Sequence, residues 1–105
     1  MASKSLTLTL DRAAYVLEDT IRIAREVMAE CVAEGDMACA AASVRRIEKD
    51  TDLSVMVREG RSMVCNGYTD AAIMDRLDWE RRGAAITRRA QSVAPRALPQ
   101  SARIY

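Results

Sequence analysis

The stretch AAYVLEDTIRIAREVMAECVAEGD, Ala13–Asp36, decides the fold class. Ala14, Leu17, Ile21, Ala24, Met28 and Cys31 recur at alternating spacings of three and four, which draws one apolar seam along a helix. A second row, Ala13, Val16, Ile23 and Val27, lies on another side. The rest of the chain can cover one row. The other is either buried within the same molecule or offered to a partner subunit, and Val16, Ile23 and Val27 are the candidate homo-oligomer contacts. Gly35 supplies a turn and Asp36 the next cap, so MACAAASVRRIEKD (37–50) returns as an alanine-rich antiparallel helix that can approach closely.

Upstream, KSLTLTL (4–10) alternates apolar and polar residues but has no second strand to pair with, so it reads as an extended arm. Thr9 then caps the first helix, with Asp11 in its first turn. Downstream, a third helix is expected from Thr51 to the Asn66-Gly67 stop, with Leu53, Val57, Met63 and Val64 inward and Gly60 allowing a close crossing. Pro95 and Pro99 break helical continuity near the end. Half the residues are hydrophobic but Phe is absent and aromatics are 4 %, so the core must be built from Ala, Val, Ile, Leu and Met. That favours all-α packing, and 105 residues suffice for one core only. Met28, Met37, Met56, Met63 and Met74 suit adaptable contacts, but at helical spacing they read as core.

The charge is unevenly distributed. Residues 1–75 carry 9 Lys/Arg against 13 Asp/Glu, whereas residues 76–105 carry 7 Arg against 2 acids, a basic end suited to a polyanion. In GYTDAAIMDRLDWERRGAAITRRAQ, Gly67–Gln91, Thr69 caps a short helix with Ile73 and Leu77 inward. Asp78 ends it, Trp79 inserts as an apolar plug, and a second helix follows. At 100° per residue Arg81, Arg82, Arg88 and Arg89 fall within roughly 120° of one another, with Ile86 and Ala90 beside and behind them. Guanidinium groups so placed can pair with phosphates and guanine edges. Arg76, Arg96 and Arg103 extend the footprint.

This stretch resembles the opening of many helix-turn-helix DNA-binding proteins, with glycine, a Tyr, Phe or Leu, a Ser/Thr cap, then Ile and Leu four apart, here Gly67, Tyr68, Thr69, Ile73 and Leu77. Transcription regulators and phage terminase small subunits share it. The resemblance implies that the helix ending at Leu77 supports and the arginine-bearing helix enters the major groove of double-stranded DNA. The expected organisation is an arm (1–8), one all-α domain of about five helices (9–92, a hairpin over 9–50 and a helix-turn-helix-like unit over 51–92) and a tail (93–105).

Function classes narrow further. Without His, a metal site or a His-based acid, base or nucleophile relay has no centre, and no Gly-rich phosphate loop exists. Glu18 with Asp19, and Asp50 with Asp52, more simply cap and solubilise. The expectation is a non-enzymatic protein without cofactor. Cys31 and Cys39 lie symmetrically about Gly35 and can face each other across the hairpin, but buried free thiols are the expected state. No signal peptide or membrane-length apolar run is present, which places the chain in the cytoplasm. The primary reading is a DNA binder of phage or mobile-element type, a regulator or packaging component, acting as a homodimer. The alternative is a protein-interaction module such as a phage-borne adaptor or inhibitor, its arginines meeting an acidic protein surface, for instance Glu18, Asp19 and Glu26 of a neighbouring subunit.

Overall fold

The computed structural model describes residues 1–92, and these form four α-helices: α1 (Lys4–Ala33), α2 (Met37–Cys65), α3 (Asp70–Arg76) and α4 (Trp79–Gln91). The all-α expectation holds, with one helix fewer than about five. The tail, with Pro95, Arg96, Pro99 and Arg103, lies outside the described residues.

The extended arm is corrected. Ser3, not Thr9, begins α1, its hydroxyl accepting the Leu6 N–H at 3.1 Å. Leu6 and Leu10 satisfy a two-residue and a four-residue repeat alike, and the second wins because both are buried on the face that continues through Ala13, Ala14 and Leu17. Thr9 instead donates to the Ser5 carbonyl one turn back, at 2.9 Å. Asp11 is fully buried in the body of the helix and meets Arg61 Nε at 3.2 Å, so it serves an interhelical ion pair rather than the helix dipole.

Gly35, at φ 75°, turns the chain, and Asp36 caps α2 by accepting the Cys39 N–H at 3.0 Å. The expected break near Thr51 does not occur, and α2 runs unbroken for 29 residues. Asp50 explains the difference. Its carboxylate is occupied by Arg89 rather than by the backbone amides a new helix start would offer, and no Gly or Pro lies between residues 37 and 59 to stop propagation. Ala40, Ser43, Asp50, Ser54, Val57 and Gly60 form the buried stripe of this single rod.

The main core joins Leu6, Leu10, Ala13, Ala14 and Leu17 of α1, Val57 of α2, Ile73 and Leu77 around α3, and Ile86 and Ala90 of α4. Leu53, Met63 and Val64 pack partly against it, as expected. No residue from 18 to 52 belongs to it. Outward from Asp50, which α4 still reaches through Arg89, α1 and α2 continue as a two-helix arm, consistent with overall extents of 50 × 28 × 20 Å. Ala24, Cys31, Ala40 and Ser43 are buried in that arm, and small residues there allow close approach. Near its tip Cys31 and Cys39 form a disulfide with Cα atoms 5.8 Å apart, which corrects the free-thiol expectation; Cys65 is free and exposed.

Two helical glycines are set by packing. A Cβ at Gly60 would lie 2.8 Å from Leu77 Cδ1 and 3.3 Å from both Leu10 methyls, so α2 can approach α1 and α3 only without it. A Cβ at Gly83 would lie 2.6 Å from the Trp79 ring, which lies against α4 one turn earlier. The glycine inside the arginine helix is therefore the seat of the tryptophan plug. No helix among the described residues is long and apolar enough to cross a membrane.

Candidate nucleic-acid interface

Thr69 caps α3 as expected, accepting the Ala72 N–H at 3.2 Å, and Ile73 and Leu77 are fully buried. Asp70 occupies the first turn, where its Oδ1 accepts the Ser3 N–H at 2.7 Å. That backbone hydrogen bond, followed by one from the Ser3 side chain, holds the Asp70 carboxyl below its ordinary value. The contact ties the start of α1 to the start of α3.

Between α3 and α4 the chain turns through Leu77 and Asp78. Asp78 is left-handed, φ 53° and ψ 60°, a conformation that costs a non-glycine residue about 1 kcal/mol. It provides no side-chain cap to α4; its Oδ2 meets Arg81 Nε at 3.2 Å instead. Ile86 and Ala90 seat α4 on the core, as the wheel expected.

The four arginines are neither scattered nor equivalent. All line one cleft of about 520 Å³ between α2 and α4, joined there by Lys49, Asp50 and Asp52. Arg81 and Arg88 sit on the exposed stripe of α4 with Glu80 and Ala84. Arg82 is half-buried, its Nη1 3.5 Å from the Leu77 carbonyl. Arg89 is turned inward, with Nη2 2.6 Å from Oδ1 of Asp50, which is only 1 % exposed. Of the four, Arg89 chiefly neutralises a buried carboxylate. Arg76 projects from the end of α3 and pairs with Glu59 at 2.7 Å. Arg96 lies outside the described residues.

The helix-one contacts also divide. Ile23 and Val27 are 45 % and 39 % exposed, and with Thr20, Ala24, Ser43 and Arg46 they line a shallow groove of about 220 Å³ on the arm. Val16 is half-buried and Ala13 fully buried in the main core, so the second row leaves the protein interior only beyond Val16. Of the acids weighed as partners for the arginine face, Asp19 and Glu26 already hold Arg22 at 2.7 and 3.0 Å, raising its pKa above the ordinary arginine value. Glu18 makes no ion pair among the described residues.

Sequence reading passed over Lys49 and gave Asp50 and Asp52 only a capping and solubilising role, which is corrected for Asp50: it is buried within α2 and paired with Arg89. The signal for Asp50 was present: it lies seven residues after Ser43 and four and seven before Ser54 and Val57, on the buried stripe. An acid at such a position calls for a cationic partner from another helix. Among the described residues no group of three His, Cys, Asp or Glu is placed to hold a metal ion. The chain matches no protein-family model, no curated protein and no solved structure.

Proposed function

We propose that this chain is a small non-enzymatic protein that binds double-stranded DNA through α4 and acts as a homodimer. The observation that carries the reading is the pairing of an exposed arginine stripe, Arg81 and Arg88, with a short α3, tight turn and core-seated α4. In such a unit the first turns of the second helix face base edges. Arg81 and Arg82, the third and fourth residues of α4, occupy that end, and Arg88 follows two turns later along the same side. Arg76 extends the footprint from α3, while Arg89 holds α4 to α2 through Asp50. The resemblance of Gly67–Leu77 to helix-turn-helix openings supports a regulator or packaging role.

Titration of duplex DNA over a range of salt concentrations tests this reading. Affinity falls steeply as salt rises, and Arg88→Ala lowers both the affinity and the salt slope, the slope by about one unit. Folded protein that leaves duplex DNA unbound even at low salt overturns it.

The exposed Ile23 and Val27 side chains support the dimer, because two arms laid together would cover them. Sedimentation of the intact chain gives a two-chain mass, and Ile23→Asp returns it to one; a one-chain mass at every accessible concentration excludes the dimer. The same patch favours a second reading, a protein-interaction module, in which the arm binds a different chain and α4 no DNA.

A further inference from the structure

We propose that the cleft between α2 and α4 binds a small phosphorylated ligand, whether or not α4 also meets DNA. Lys49, Arg81, Arg82, Arg88 and Arg89 face two carboxylates there, Asp50 and Asp52. With Asp78 also pairing Arg81, the remaining surplus of two positive charges suits a phosphate monoester, whose two charges and several acceptor oxygens match guanidinium donors better than a single carboxylate does. A concave site of about 520 Å³ is of the size that takes small ligands.

The site is built rather than merely charged. Asp50 holds Arg89 at 2.6 Å, which fixes the direction of the guanidinium before any ligand arrives, while Arg89 keeps 28 % of its side chain exposed. The second oxygen of Asp50, Oδ2, is buried with no hydrogen-bond partner. A buried acceptor of this kind is costly unless it gains a donor. Asp50 lines the cleft, so a hydroxyl on the ligand is the donor this oxygen calls for. Leu53 and Ala85 add an apolar surface for the carbon body of the ligand. The chemistry recognised is therefore a phosphate group attached to a small hydroxylated body.

Calorimetric titration of the full chain, without DNA, uses inorganic phosphate and ribose 5-phosphate as probes at physiological ionic strength. Ribose 5-phosphate binds one per chain, about tenfold or more tighter than inorganic phosphate, and Lys49→Ala weakens it by about tenfold. Lys49 is exposed and makes no ion pair among the described residues, so its replacement leaves the fold intact, whereas Arg89→Ala also strands a buried carboxylate. Arg58→Ala, which alters a different groove shared by α1 and α2, leaves the affinity unchanged. Absence of saturable binding up to millimolar probe, equal affinity for the two probes, or binding indifferent to Lys49→Ala overturns the proposal. Loss of DNA binding leaves these outcomes unaffected, so the two readings fail separately.

Discussion

The two ends of the molecule are held together differently. At the root, four helices enclose leucines and isoleucines with no solvent exposure, and buried Asp11 and Asp50 are each met by an arginine from another helix. In the arm, two helices share mainly alanine, serine and a disulfide, with Ile23, Val27 and Val44 facing solvent. Large buried side chains supply the root with area removed from water; the arm has little of that and relies on close approach and a covalent tie. The root thus behaves as the cooperative unit, and the arm as the part free to meet something else.

The largest effect that would break this contrast lies at the root. Arg89→Ala strands the Asp50 carboxylate and costs about 3 kcal/mol in urea unfolding, whereas exposed Arg88→Ala changes stability by less than about 0.5 kcal/mol. Equal losses would mean that Arg89 does not anchor α4. Next comes Cys39→Ser in the arm. The bridge closes a loop with a sequence separation of 8, and its removal costs about 2 kcal/mol if the arm and root unfold together. Hydrogen exchange sharpens the comparison: amides of residues 24–44 lose protection first, while those around Leu10 and Val57 keep theirs.

A smaller effect has an unusual sign. Replacing a helical glycine by alanine ordinarily gains about 1 kcal/mol. Gly83→Ala instead lowers the melting temperature, because the Trp79 ring must leave its place. The smallest effect is at the α1–α3 tie. Asp70 has a depressed folded-state pKa, so its contribution is present above the ordinary value of 3.8 and is lost as pH falls through the lowered one. Asp70→Asn removes that acid-side component, and a stability profile unchanged below pH 3.8 would show that the Ser3 contact contributes nothing.

Much of this architecture was legible where apolar spacing and caps agreed. The Ala14 to Cys31 seam, the Gly35–Asp36 turn and the Thr69 cap each follow from local chemistry. Local pattern fails where one residue admits two uses. Leu6 and Leu10 fit a strand or a helix, and only burial against the rest of the chain decides. Asp50 and Thr51 resemble a helix start until Arg89 takes the carboxylate, a contact across 39 positions that local pattern does not contain. The arginine wheel placed the four side chains on one side of α4 but not their depth, because depth depends on where α2 lies. Symmetry about Gly35 makes the cysteine bridge possible, but the choice of bonded over free requires the register of the hairpin.

The unbroken course of α2 carries a mechanical implication. One stiff shaft, about 44 Å long by its 29 residues, bears the outer hairpin at one end and part of the hydrophobic interior at the other. Lys49 and Asp50 lie along its middle. Leverage applied by whatever grips the hairpin is therefore delivered to the wall opposite α4, without any joint to absorb it.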